Sequence, residues 1–486
     1  MLLAGDYAYK IKKPVDFGFL DFSTLDRRRH FCDEELRLNR RFAESLYVDV
    51  VAITRVGTTA RIGGDGEPIE WAVRMRRFPS EMQLDRRLAA GRLEASELGE
   101  FGATLARVHA TLPLAAADSR FGTADAVLGP VRENFLQIRA SQFASVRADL
   151  VDRLDAWSTA RHAQLATAIE QRRRDGFVRE CHGDLHLSNL VLLADGIHAF
   201  DCIEFSDALR WLDLISDAAF LMMDCCVRDR ADLGYAFLDR YLQQTGDYAG
   251  GALLDFYLVY RSMVRAKVAA LQAQRADDEE LLRRFEAHLD FAGDRALRAR
   301  PAVILMCGVS GSGKSWLAQR LVERIPAIRI RSDVERKRLA ALQPLQRSGS
   351  ALDQGLYTAR NTDELYAHLE QSTEALVSGG ERVIVDATFL SAARRDAFRR
   401  DAQQRGVAFV IVHCTAPRAV LVERITRRNE TNADPSEADV AVLDVQLGRY
   451  EPPASSDAAV LTIDTSQPLD VDAVARHVRS RIEPRG

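Results

Sequence analysis

The stretch Gly308-Val-Ser-Gly-Ser-Gly-Lys-Ser315 constrains this chain more than any other. An apolar run over residues 303–307 precedes it, and Leu317, Leu321, Val322 and Ile325 recur behind it at helical spacing. A strand, a glycine-rich turn and a helix in that order make a phosphate-binding loop, or P-loop. Its glycines let the backbone curl so that successive N–H groups face phosphate oxygens at a helix N-terminus. The expected ATP-binding set is Gly308, Ser310, Gly311, Ser312, Gly313, Lys314 and Ser315. Lys314 would reach the terminal phosphates and the Ser315 hydroxyl would ligate Mg²⁺.

Strands expected at 328–330, 383–386, 409–414 and 460–464 alternate with helical patterns after this loop. That order is the α/β signature of a doubly wound parallel sheet. Asp386 closes the buried run Val383-Ile-Val385, the place from which a carboxylate orders Mg²⁺ and its water. Asp333 stands just past the 328–330 strand, where it would take the proton of an incoming hydroxyl. Without the P-loop it would read as a helix cap. Arg336 lies three residues on, as the acceptor-binding residue, and the Asp-x-x-Arg spacing resembles the acceptor site of polynucleotide-kinase-like and gluconate-kinase-like P-loop kinases. Arg424, Arg427 and Arg428 share about one helical turn before the polar stretch 429–436. They read as a solvated face or as a lid whose Arg424 and Arg428 close over the transferring phosphoryl group.

The first three hundred residues hold a second constellation, His182-Gly-Asp-Leu-His-Leu-Ser-Asn189, followed by a hairpin that ends at Asp201. On a kinase catalytic loop an Asp takes the acceptor proton, and an Asn five residues on and an Asp after the next hairpin hold Mg²⁺. Asp184, Asn189 and Asp201 stand at those spacings. A metal site on Cys181, His182 and His186 explains the spacing less well. Near the start, Leu2-Leu3, a Gly5-Asp6 turn and an alternating strand over 7–12 read as a short hairpin. Phe31, Glu35, Leu38 and Phe42 share one helix face, so Glu35 sits among apolar neighbours and needs a cation. Lys10 is the candidate, and such a pair would hold the lysine against ATP phosphates. Lysine occurs only at positions 10, 12, 13, 267, 314 and 337, so the survivors read as places that need an ammonium or as chance leftovers of an arginine-biased composition. Strands at 48–53 and 70–75 precede a hinge at Pro79. Asp213 and Asp217 are expected on one helix, as surface charges or as a brace of the catalytic loop. Arg261 and Arg265, with Lys267 nearby, read as a solvated basic helix face or the lining of an acceptor cleft.

The His-Gly-Asp-x-His-x-x-Asn stretch, with Asp201-Cys-Ile-Glu-Phe205, resembles the aminoglycoside phosphotransferase family over residues 7–295. The resemblance implies an α+β, protein-kinase-like, two-lobed domain in which His182 braces the loop and His186 replaces the loop lysine of protein kinases. The strand–loop–strand before Lys10 is shorter than kinase folds provide. As a whole the chain is similar to bacterial bifunctional aminoglycoside phosphotransferase/ATP-binding proteins of the AAA family. Lys12-Lys-Pro-Val15, Phe19-Leu-Asp-Phe22 and Glu35-Leu-Arg-Leu-Asn-Arg-Arg41 carry that likeness. The expected domains are 1–297, with an N lobe of about 1–78 and a C lobe of about 79–297, and 301–486, joined by a short basic linker.

A formal net charge of −4 over 486 residues offers no basic arm for nucleic acid. Seven cysteines without metal spacing point to a reducing cytoplasm, and neither a membrane span nor a signal peptide is legible. The expected protein is an ATP- and Mg²⁺-dependent phosphotransferase with two nucleotide sites, acting on hydroxyls of small molecules. Two alternatives stay open. The first domain is a non-catalytic regulator, or the second is a polynucleotide 5′-hydroxyl kinase with a groove of Arg331, Arg336, Lys337 and Arg338.

Overall fold

The computed structural model describes residues 1–16, 20–273, 275, 277–348, 358–431, 434–454 and 456–483. Phe19, and residues 432 and 433 of the expected lid, lie outside them. The chain divides into two compact units that interleave in sequence, Met1–Asp229 with Phe256–Gly293, and Arg230–Asp255 with Asp294–Gly486.

The first unit begins with an antiparallel sheet of β1 (Leu2–Ala4), β2 (Tyr7–Ile11), β3 (Tyr47–Val56), β4 (Thr59–Ile62) and β5 (Pro68–Arg76), in the order β1-β2-β5-β3-β4. The β1–β2 turn puts Gly5 at φ 57°, a conformation that glycine adopts without strain. β4 is short, half of it polar and nearly all exposed, so it carries no alternation to read. Against the sheet lies the helix Leu25–Ala43, capped by Thr24 and burying Cys32, Glu35, Leu38 and Asn39. A helical body follows, with two small hairpin-like sheets. One pairs β6 (Val178–Glu180) with β9 (Trp211–Asp213), and the other pairs β7 (Leu190–Leu193) with β8 (Gly196–Ala199).

Two expectations change here. Asp213 ends β9 and caps the helix Leu214–Val227, and its carboxylate is taken by Arg172 at 2.7 and 2.9 Å. Only Asp217 lies inside that helix. Arg261 is buried, donating to the carbonyls of Ser216 and Gly183 at 3.2 Å each, so its face is not solvated.

In the second unit β10 (Ala302–Cys307), β11 (Ile328–Arg331), β12 (Arg382–Asp386), β13 (Ala408–Thr415) and β14 (Val460–Asp464) form a parallel sheet ordered β11-β12-β10-β13-β14. Every residue of the central β10 is buried, as a strand covered on both faces requires. Residues Arg230–Asp255 pack on this sheet. From the helix Ala231–Thr245, Asp239 accepts from the Arg329 amide at 3.1 Å and pairs with its guanidinium at 3.3 Å. Tyr235 donates to the buried Glu381 at 2.7 Å, where Arg295 also binds. The helix Glu279–Arg298 takes in the start of the expected linker and ends shortly before β10. Among the described residues no helix is long and apolar enough to cross a membrane.

Candidate active sites

In the second unit the P-loop links β10 to the helix Lys314–Arg324. A Cβ on Gly308, at φ 141°, would lie 2.4 Å from the Cys414 carbonyl oxygen, and one on Gly311, at φ 80°, would lie 2.8 Å from that of Leu421. Only glycine lets the loop press against its neighbours there. A cavity of about 560 Å³ gathers Ser310, Gly311, Gly313, Lys314, Ser315, Asp333, Arg336, Asp386, Arg424 and Arg428.

Lys314 is buried and its ammonium donates to the Val309 carbonyl at 2.8 Å. Burial lowers its pKa, against the pull of Asp386 and Asp333. Asp386, paired in register with Met306 of β10, is also buried. Among the described residues its Oδ2 accepts no hydrogen bond, and Arg331 Nε lies 3.6 Å away. A buried carboxylate oxygen left over in a cavity that Ser315 also lines suits a hard, oxygen-seeking cation such as Mg²⁺. Arg424 spends its donors on Thr465, at 2.9 Å to Oγ1 and 2.6 Å to the carbonyl, and lies 3.3 Å from the Gly311 carbonyl. It therefore ties the P-loop to the chain beyond β14. Arg428 donates to the Ala438 carbonyl at 2.6 Å, and Arg336 reaches the Thr362 hydroxyl at 3.4 Å.

In the first unit Glu35 is fully buried and carries an ammonium on each oxygen, Lys10 on Oε1 and Lys12 on Oε2, both at 2.8 Å. Lys10 also pairs with Asp201, and Lys12 with Glu204. Burial opposes the charge on Glu35, but the two lysines overcome it and hold its pKa down. Lys10 is pushed up by Glu35, Asp201 and Glu204 despite burial. Asp201 adopts φ 65°, in the left-handed region, and its amide donates to the Tyr47 hydroxyl at 3.1 Å. Lys10 and Asp201 line a cavity of about 740 Å³ with Gly5 and Asp6 of the β1–β2 turn, so the short hairpin covers the place where phosphates are expected.

On the catalytic loop Asn189 donates to the Asp184 carboxylate at 3.0 Å, and His186 Nε2 lies 3.2 Å from the same oxygen. Arg265 comes within 3.4 Å of His186. Burial raises the Asp184 pKa, but the His186 hydrogen bond and the charges of His186, Arg265 and His182 more than reverse this and keep it ionised. Asp217 accepts from the His182 and Gly183 amides at 3.1 and 2.9 Å, and so fixes the loop from below. His182 is held at 2.9 Å from the Phe200 carbonyl. Oxygens of Asn189 and Asp201 could hold Mg²⁺ here.

Residues 21–254 match the model of the phosphotransferase enzyme family, and residues 303–453 match that of an AAA domain. Uncharacterized proteins of Mycobacterium tuberculosis and Mycobacterium bovis are 33% identical over 448 residues, which span 91% of this chain and 87% of theirs. The chain belongs to their two-domain family. This chain carries a kinase-like phosphotransferase domain ahead of a P-loop domain and is an ATP-dependent kinase. Among solved structures, a gluconokinase from Sinorhizobium meliloti is 26% identical, with a TM-score of 0.27, over 37% of this chain and 91% of its own. An APS kinase of Mycobacterium tuberculosis, solved with AMPPNP and APS, is 19% identical, with a TM-score of 0.28, over 38% and 99%.

Sequence reasoning gave no site role to Lys12 or Glu204, and offered Arg261 and Arg331 only as lining of an acceptor cleft or groove. Lys12 was within reach, because it stands just past β2, two residues from Lys10, and is one of six lysines. Arg331 links Asp386 to Asp434, 3.0 Å from its Nη2, and only its place beside Asp333 marked it.

Proposed function

We propose that both units are phosphoryl-transfer sites, each passing the γ-phosphoryl group of ATP to a hydroxyl of a small acceptor. One observation carries this reading: each unit brings its own lysine and carboxylate set to a cavity of its own, Lys10 with Asp201 in one and Lys314 with Asp333 and Asp386 in the other. Phosphoryl transfer needs little covalent chemistry from a protein, mostly positioning and charge stabilisation.

In the first unit Asp184, kept ionised by its neighbours, orients the acceptor hydroxyl and takes its proton. Lys10, fixed by Glu35, aligns the phosphates. In the second unit the backbone amides of Gly308 to Ser315 cradle the phosphates, Asp333 takes the acceptor proton, and Arg428 stabilises the transferring group, while Arg424 keeps the loop in shape. Asn189 with Asp201, and Ser315 with Asp386, would hold Mg²⁺, which neutralises charge that builds up on the phosphate oxygens. Sugars, nucleosides and nucleotides are the acceptor classes that fit these sites. Seven free cysteines, six of them buried, support a cytoplasmic location.

The test is ADP release by the parent chain, Asp184→Ala and Lys314→Ala, against sugars, nucleosides, aminoglycosides and 5′-hydroxyl oligonucleotides. Loss of turnover with different acceptors in the two variants is the expected result. If Asp184→Ala matches the parent throughout, the first unit is a binding module and the two-site reading fails.

A further inference from the structure

The first unit contains a second cavity, of about 590 Å³, that includes none of Lys10, Asp184 or Asp201 in its walls. It lies between residues 120–130, residues 208–216 and one face of the helix Leu254–Gln272. Its volume is that of a small-molecule site. The wall is built closely. Gly122 sits at φ 68°, and a Cβ there would come within 2.3 Å of Val178, so the segment is pressed onto β6.

Phe121 and Trp211 lie parallel, 8° apart with centroids at 5.9 Å, and present a flat aromatic face. Nothing fits between the two rings at that spacing, so a ligand would extend their stack. Tyr257, only 2% exposed, and Tyr260 complete the wall. Neither hydroxyl has a hydrogen-bond partner among the described residues. Both hydroxyls are open to the cavity rather than sealed in protein, so each is free to meet a polar atom of a ligand.

The buried charges at the cavity are already matched, Asp213 by Arg172 and Arg261 by the Ser216 and Gly183 carbonyls, while Arg120 and Asp125, of opposite sign, stand exposed at the rim. An ion would find no free counter-charge inside, whereas a flat neutral ring with hydrogen-bonding edges meets both the aromatic face and the hydroxyls. We propose that this cavity binds an uncharged, planar heteroaromatic molecule of nucleoside size, stacked on the Phe121–Trp211 pair and hydrogen-bonded to Tyr257 and Tyr260. Arg261, which stacks 5.1 Å over Tyr260 and holds the carbonyl of Gly183, joins this site to the residue next to Asp184. The site goes beyond the two-site reading and does not depend on turnover.

The test is calorimetric titration of the full chain with adenosine, guanosine, cytidine and uridine, under saturating ADP and Mg²⁺. One of them should bind at one equivalent, equally to the parent and to Lys314→Ala. Tyr257→Phe should weaken it about tenfold and Trp211→Leu further. Because its hydroxyl has no partner, Tyr257→Phe should leave the melting temperature of the ligand-free chain unchanged. The proposal is overturned if no nucleoside binds, if binding survives both substitutions, if Lys314→Ala removes it, or if Tyr257→Phe lowers the melting temperature by several degrees.

Discussion

Glu35 has no access to water, and each of its oxygens meets a lysine. Removing one partner of a buried charge cluster leaves the rest uncompensated. Lys12→Met should therefore destabilise the first unit by about 3–5 kcal/mol, read as a shift in the urea midpoint without a change in slope. His288 gives a pH-dependent counterpart. Burial lowers its pKa to about 3, so below the unfolded value near 6.5 the unfolded chain binds a proton that the folded chain refuses. Its contribution is intact above about pH 6.5 and is lost as the pH falls toward 3. Between pH 6.5 and 5 the parent should lose about 2 kcal/mol more than His288→Gln, and equal losses would count against this. In catalysis, His186→Gln removes the hydrogen bond that helps to hold Asp184 ionised, so the acid limb of the first unit's rate profile should move to higher pH. Lys10, Glu35, Asp184 and Lys314 were legible because their chemistry lies in short spacings. The Lys12–Glu204 pair and the hold of Arg261 on the Gly183 carbonyl were not, because those partners are far away along the chain.

Elements were legible where a periodic pattern met a buried face. Of the five parallel strands, β10, β12 and β13 were found in place because each is a short apolar run largely buried on both sides, while the edge strand β14 buries only Val460. β4 escaped for the opposite reason, having no buried face. Asp213 shows the limit. Two residues after Trp211 the chain passes from a three-residue strand into a helix, and only the pairing with β6 reveals the strand. Packing between elements sets a further test. A Cβ on Gly379, at the end of the helix Ala359–Ser378, would lie 1.8 Å from the Gly251 carbonyl oxygen in the turn Tyr248–Leu253. Gly379→Ala should force the two apart and destabilise the second unit by about 1–3 kcal/mol or more, measured as a fall in its melting temperature.

For the whole molecule, boundaries read from motifs placed the change of unit near residue 300, whereas the contacts assign Arg230–Asp255 to the later unit. Sequence could not show this, because the helix Ala231–Thr245 is amphipathic in a way that suits either body. A fragment of residues 301–486 would leave Arg329 and Glu381 without Asp239, Tyr235 and Arg295. It should show no cooperative thermal transition, and a soluble fragment melting as the parent does would refute this. The same arrangement has a consequence for synthesis. Asp239 leaves the ribosome 90 residues before Arg329. At about 5–20 residues per second, the helix waits roughly 5–20 s with Tyr235, Phe237 and Leu238 uncovered before β11 is even made, and longer before the sheet forms. Newly made chains should thus draw on chaperones during that interval, however stable the finished protein is.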